Sequence, residues 1–170
     1  MDPDVVALAG RLAADAHAQQ VDKAGRPYVE HLRRVAAYVN PSDLSAVAAA
    51  LLHDVLEDTS TTPAQLLEQH LPADVVETVQ LLTRKPQQQA ADYYREIRAH
   101  AMAREVKLAD LADNTDPDRL AHLPEALRLR LVRKYVDAYE ALGAGLEDGR
   151  RRRAAVHGVN AGECADAPPT

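Results

Sequence analysis

His53 and Asp54 stand side by side near the end of an almost wholly apolar run, residues 44–56. Burying an imidazole and a carboxylate is costly unless they are paired or bound to a metal. Glu57 follows His53 by four residues, and Asp58 follows Asp54 by four. If the helix continues, each pair shares a face. Three acids and one imidazole then crowd into about a turn and a half. At neutral pH that density of negative charge is unfavourable without a compensating cation.

An isolated His-Asp pair is commonly a helix cap or a surface pair, but this one has company. His31 sits among Leu32, Val35 and Ala36, and Asp110 closes the stretch Val106-Lys107-Leu108-Ala109-Asp110, with Asn114 one turn further on. Alone, His31 reads as a core histidine and Asp110 as a solvated helix residue. Together His31, His53, Asp54 and Asp110 supply two nitrogens and two oxygens, a set that suits a divalent Mn, Fe or Zn ion. On an octahedral ion such a set leaves places for water and a substrate oxygen, which metal-assisted hydrolysis needs. Glu57 and Asp58 are then spare carboxylates suited to general acid and base work.

The elements that must position these residues read as helices. Apolar residues at Val5, Leu8, Ala9, Leu12, Ala13 and Ala16 repeat at helical spacing. A polar turn with Gly25 and Pro27 follows, and a second helix is expected from about residue 28 to 39. The apolar run 44–56 predicts a helix buried on most sides. Thr62-Pro63-Ala64-Gln65 predicts a capped helix start. Further helices are expected over 73–83, over 92–101 and 103–114 as two pieces or one broken one, and over 124–142. The composition agrees: Ala, Leu and Val dominate, Phe and Trp are absent, and Gly is scarce. An all-α domain is the expectation.

The motifs also resemble a known family. His31, the run His53-Asp54-Val55-Leu56-Glu57-Asp58-Thr59, and Lys107-Leu108-Ala109-Asp110 with Asn114 resemble the motifs of the HD hydrolase domain of RelA/SpoT-type proteins. Gly25-Arg26-Pro27-Tyr28-Val29-Glu30-His31 is similar to that family's Gly-Glu-Pro-Tyr-Ile-x-His. The Glu-Asp-Thr after the His-Asp pair separates this branch from most other HD phosphohydrolases. The match runs from about residue 14 to 142, and the chain resembles the stand-alone small alarmone hydrolases.

That resemblance implies a compact HD-domain bundle of about seven to nine helices over residues 1–146. It implies hydrolysis of the 3′-pyrophosphate of ppGpp or pppGpp to GDP or GTP and pyrophosphate, usually with Mn2+. It gives His31, His53, Asp54 and Asp110 as metal ligands, Glu57 and Asp58 as catalytic, and Asn114 as a ribose contact. Tyr135 resembles a tyrosine that touches phosphate, and it reads equally as a core aromatic. Lys23 and Lys107 are expected at the phosphates; Arg84 and Lys85 read more as solvated loop residues. One position departs from the pattern. Family members carry Arg-Lys eight and nine residues before the first metal His, and the Arg packs against guanine. Here Asp22 and Lys23 stand there. Asp22 cannot stack as a guanidinium does, and it would repel phosphate, although it could accept hydrogen bonds from a base edge. Two other readings therefore stand beside the first: an HD phosphohydrolase for another nucleotide (an adenine alarmone, NADPH or a nucleoside monophosphate), or a non-catalytic nucleotide-binding regulator.

The net charge is −6. That argues against a nucleic-acid partner, which needs a basic face, and leaves room for a small anionic nucleotide. No apolar stretch reaches roughly 18 residues without charge, so no membrane partner is expected. The N-terminus lacks a basic region followed by an apolar run, so no signal peptide is expected and the cytoplasm is the default location. The single Cys164 allows no intrachain disulfide. Residues 147–170, with the basic run Arg150 to Arg153, read as a mostly disordered, solvated tail. Oligomeric state has no signal in the sequence.

Overall fold

Small residues decide how closely the helices approach in this protein. The computed structural model describes residues 4–22 and 25–163, the last seven as backbone only. Among them are eleven helical segments: α1 (Asp4–Ala16), α2 (Tyr28–Ala37), α3 (Leu44–Leu52), α4 (Val55–Asp58), α5 (Pro63–Glu68), α6 (Ala73–Leu82), α7 (Ala90–Ala99), α8 (Ala101–Asn114), α9 (Pro117–Ala121), α10 (Glu125–Ala141) and α11 (Leu146–Glu163). No strand occurs among the described residues, so the domain is all-α as its composition predicts. The count exceeds the expected seven to nine because α4 is split from α3, because the short α9, capped by Asp116 with Pro117 at its start, was not among the expected helices, and because α11 falls where a tail was expected.

Two helices form the axis of the core. α3 is buried along almost its whole length and packs against α1, α2 and α6. Its Ala46, Ala48, Ala49 and Ala50 are buried, as are Ala9 and Ala13 of α1, which packs against it. Methyl-sized contacts let the backbones come close without large aromatics. α8 packs against α2, α3, α6, α7, α10 and α11. Leu52 and Leu108 are fully buried on these two axes, and truncating such a leucine to alanine costs about 2–5 kcal/mol.

Local chemistry sets the helix ends. Asp43 caps α3 by accepting from the Ala46 N–H at 3.0 Å. Thr62 and Gln65 form the predicted capping box on α5, with Pro63 in its first turn. His100 ends α7 in an extended conformation and caps α8 by accepting from the Ala103 N–H at 3.2 Å, so the predicted broken helix is broken there. The turn between α1 and α2 is closed by an isolated bridge between Val21 and Pro27. Gly25 takes φ +79° inside it, a backbone region that costs glycine little.

Two expectations are corrected here. First, the helix through His53-Asp54 does not continue unbroken: α3 stops at Leu52 and a one-turn α4 restarts at Val55. Asp54 has φ −104° and ψ −1°, and Thr59 closes α4 by donating its hydroxyl to the Val55 carbonyl at 2.6 Å. Second, residues 147–163 are not a disordered tail. They belong to α11, which packs on α8, while residues 164–170, including Cys164, lie outside the described residues. The basic run is part of the reason. Arg152 bonds both carboxylate oxygens of Glu105 at 2.7 and 2.9 Å, Asp148 Oδ1 at 2.6 Å and the Tyr38 carbonyl at 3.0 Å. Arg153 donates to the Ala112 carbonyl at 2.5 Å. A composition that looks solvated becomes ordered when its guanidiniums find fixed acceptors. No helix among the described residues is long and apolar enough to cross a membrane.

Candidate metal centre and its cavity

The chain brings His31, His53, Asp54 and Asp110 to one point from three places: α2, the α3–α4 break, and α8. His53 Nε2 lies 3.0 Å from Asp54 Oδ2 and 3.7 Å from Asp110 Oδ1. His31 Nε2 lies 3.4 Å from Asp110 Oδ1 and 3.8 Å from Asp54 Oδ2. His31, His53 and Asp54 each offer an atom within 4.8 Å of the others. Such spacings fit donors around one ion, whose bonds to N and O run about 2.0–2.2 Å for a transition metal.

The hydrogen bonds behind the imidazoles test whether an ion fits. His53 Nδ1 faces the Ala50 carbonyl at 2.8 Å, and His31 Nδ1 faces Asp113 Oδ2 at 2.6 Å. Both partners can only accept, so each Nδ1 carries the proton. In the neutral ring each Nε2 then presents a lone pair to the shared point. His53 Nε2 is buried and makes no hydrogen bond, even with Asp54 so near. Two lone pairs and two carboxylates aimed at one point suit a cation and little else.

Electrostatics agree. Burial works against the His53 imidazolium, but Asp54 and then Asp110 outweigh it and raise the pKa to about 10. The same spot therefore attracts positive charge strongly. His31 differs: burial dominates and lowers it below its usual range. Asp110 is held well below its usual range because Lys107 beside it outweighs the cost of burial.

Further side chains hold the ligands. Tyr28 donates its hydroxyl to Asp54 Oδ2 at 2.6 Å, and its ring stacks on His17 at 5.1 Å between centroids. Lys107 Nζ and Asn114 Nδ2 both donate to Asp110, at 2.8 and 2.5 Å. Asp113, with a side chain 0 % exposed, takes Arg34 Nε on Oδ1 at 2.6 Å, while its Oδ2 pairs with Arg119 as well as His31. Asp113, Arg34 and Arg119 carried no site role in the sequence reading, and Tyr28 stood there only within the family-like motif that ends at His31. Asp113 follows Asp110 by three residues on α8, a spacing that could have suggested it. Arg119 had no local signal.

A cavity of about 460 Å³ opens over the cluster. His31, Asp54, Glu57, Asp58, Lys107, Asp110, Asn114 and Tyr135 all line it. Glu57 and Asp58 are exposed at its wall; Glu57 Oε2 accepts from the Arg84 N–H at 3.2 Å, and the Asp58 carbonyl accepts from Gln20 at 2.8 Å. Partial loss of water, then Asp54's charge, raises the Asp58 carboxyl above its ordinary value. Tyr135 is buried and also lines the cavity. Arg84 folds onto its own loop, donating to the Gln88 carbonyl. Lys23 lies outside the described residues. Asp22 lines the cavity, where its Oδ1 accepts from the Arg26 N–H and its Oδ2 from Arg119 Nη2, each at 3.0 Å.

Comparison with known proteins agrees with this geometry. The model of a family described as "HD domain" matches residues 9–146. A Haemophilus influenzae protein named guanosine-3′,5′-bis(diphosphate) 3′-pyrophosphohydrolase is 35 % identical over 139 residues, which is 75 % of this chain and 20 % of that protein. The Escherichia coli bifunctional (p)ppGpp synthase/hydrolase SpoT is 34 % identical over 142 residues, 77 % of this chain and 20 % of its own length. The chain thus spans about a fifth of these curated relatives. A solved structure described as a metazoan ortholog of SpoT that hydrolyses ppGpp superposes with a TM-score of 0.68 at 25 % identity, covering 90 % of this chain and 97 % of that one. The match over residues 9–146, on a helical frame that gathers two histidines and one aspartate at one point with Asp110 beside both imidazoles, shows that the chain belongs to the HD domain family.

Proposed function

We propose that this protein is a metal-dependent phosphohydrolase that removes the 3′-pyrophosphate of ppGpp or pppGpp, releasing pyrophosphate and GDP or GTP. The observation that carries this reading is the convergence of two imidazole Nε2 atoms and two carboxylates beneath a nucleotide-sized cavity walled by two further acids. The relatives named for this reaction support it, as does the metazoan structure, which this chain matches over nearly its whole length.

In this reading His31, His53, Asp54 and Asp110 hold one divalent ion, with Mn2+ as the proposed metal. Such an ion supplies Lewis-acid polarisation and lowers the pKa of bound water. The chain's own groups do the rest. Asp113 and the Ala50 carbonyl keep both imidazoles in the tautomer that presents Nε2. Tyr28 fixes the Asp54 carboxylate. Asp58, with its raised carboxyl, is suited to hand a proton to the departing oxygen, and Glu57 to accept one from the attacking water. Lys107 lies at the phosphate end, Asn114 and Tyr135 line the path of the ribose and phosphates, and Lys23 is proposed as a further phosphate contact. The cytoplasm is the compartment that goes with such a nucleotide substrate.

A second reading, the same chemistry on a different base, is favoured by one observation. Asp22 is engaged by Arg119 at the position where the resembling family places its base-stacking arginine. One assay separates the readings: Mn2+-loaded protein against a nucleotide panel, with released pyrophosphate read against released phosphate. Pyrophosphate from ppGpp is the expected result. Release of phosphate alone, or turnover confined to adenine nucleotides, overturns the guanosine reading, and no turnover of any nucleotide overturns the enzyme reading.

A further inference from the structure

Arg119 packs behind His31, at the edge of the cavity that it helps to line. It sits on the one-turn α9, which Asp116 caps by accepting from the Asp118 N–H at 2.8 Å. Its Nη1 pairs with Asp113 Oδ2 and lies 3.5 Å from His31 Nδ1, which donates to the same oxygen at 2.6 Å. Its Nη2 donates to Asp22 Oδ2 at 3.0 Å. The Asp22 side chain is 5 % exposed and that of Arg119 18 %, so water screens this pair little.

An aspartate carboxylate turns easily about its last torsion. Asp113 can therefore orient His31 only while its own two oxygens are held. Arg34 Nε holds Oδ1 at 2.6 Å, and Arg119 holds Oδ2. Two guanidiniums beside one buried carboxylate carry one positive charge too many. Burial and then the charge of Arg34 lower the Arg119 pKa below its usual value, and Asp22 acts against both. Asp22 supplies this second carboxylate from a fixed place. Its Oδ1 accepts from the Arg26 N–H at 3.0 Å, its own N–H donates to the Arg26 carbonyl at 2.8 Å, and its carbonyl accepts from the Gly25 N–H at 2.9 Å.

From this chain of contacts we infer that Arg119 and Asp22 are positioning residues for the metal ligand His31. Asp22 seats the Arg119 guanidinium, Arg119 fixes the Asp113 carboxylate, and Asp113 holds the imidazole with Nε2 toward the ion. The inference rests on the proposed ion site and adds what keeps one of its ligands in place. It also gives the departure at position 22 a role, in the support of the metal rather than in contact with the base.

The full chain is titrated with Mn2+, and the ring N–H of His31 is followed by NMR in the metal-free protein. Arg119→Ala is expected to lower Mn2+ affinity about tenfold, the low end of the loss for a partner outside the coordination sphere. Removing a positive charge near a cation would by itself raise the affinity, so a rise overturns the inference in favour of a charge role alone. Asp22→Asn is expected to lower the affinity about threefold or more, and Asp22→Glu, which keeps a carboxylate, to recover most of that loss. In the Arg119→Ala background Asp22→Asn should cost nothing further; losses that add overturn the inference in favour of a direct field of Asp22 at the ion. Thermal unfolding is run on every variant, and if Arg119→Ala does not fold, Asp22→Asn against Asp22→Glu decides. In the parent the Nδ1–H signal should persist, shielded by its bond to Asp113. In Arg119→Ala and Asp22→Asn it should broaden or vanish through exchange with water. Unchanged affinity in both variants, or an unchanged signal in both, overturns the inference. A parent that binds no Mn2+ while the signal still responds counts against the ion site alone.

Discussion

Two regions of this molecule concentrate charge below the surface, and they handle it in opposite ways. At the α8–α11 junction, Arg152 meets Glu105, Asp148 and a backbone carbonyl, so donors and acceptors balance within the chain. At the α2–α3–α8 junction, His31, His53, Asp54 and Asp110 gather two imidazole Nε2 atoms and two carboxylates around one point, and His53 Nε2 has no hydrogen bond. The first is partly buried and the second buried, and only the first is complete. The difference teaches that an internally satisfied cluster holds helices together, whereas one that leaves a buried ring nitrogen without a partner among gathered carboxylates is a candidate binding site.

The largest expected effect breaks the incomplete cluster. His53→Ala should lower metal affinity by more than the 10- to 100-fold that loss of an outer partner costs, and abolish measurable turnover. Stability supplies a sharper readout. Mn2+ at about one hundred times its Kd should stabilise the unaltered protein by roughly 2.7 kcal/mol. Thermal unfolding of His53→Ala should show no such gain; a gain equal to that of the parent protein would place the ion elsewhere.

Next come the acids beside the cluster. Glu57→Gln and Asp58→Asn should each reduce turnover by about 10²-fold or more while metal titration and unfolding stay near the parent values. Near-native rates in both variants would make these carboxylates bystanders. A smaller effect is expected behind the cluster. Asp113→Asn weakens the acceptor for His31 Nδ1 and leaves Arg34 and Arg119 facing a neutral amide, so metal affinity should fall by about 10- to 100-fold. An unchanged affinity in a metal titration would mean that His31 is oriented by packing alone.

The smallest effect tests the balanced cluster. Arg152→Met should destabilise the fold by about 1–2 kcal/mol in denaturant unfolding, less than the 3–5 kcal/mol of a fully buried pair. The discount follows from Glu105, whose side chain is 34 % exposed. Metal affinity should not move. A loss of metal binding in this variant would join the two regions and remove the contrast between them.

Much of this was written in residue types and short spacings. The Ala- and Leu-rich periodicity determined helices, Thr62-Pro63-Ala64-Gln65 determined a capped start, and His53-Asp54 beside Glu57-Asp58 marked a place where buried charge needed a cation. These are local facts, settled by hydrogen bonds and side-chain entropy within a few residues. The positions that only tertiary structure decided share one property: their partners are far away in the chain. Asp113 bonds His31 from 82 residues away and Arg119 reaches Asp22 from 97, and no local pattern predicts either pair. The same holds for the basic run, which looked solvated until Arg152 met Glu105, 47 residues earlier. Even the His53-Asp54 step depended on context, because periodicity alone favoured a continuous helix. Sequence named which charges had to be compensated; the fold chose the compensating groups, because a charge is answered by whatever packing brings near it.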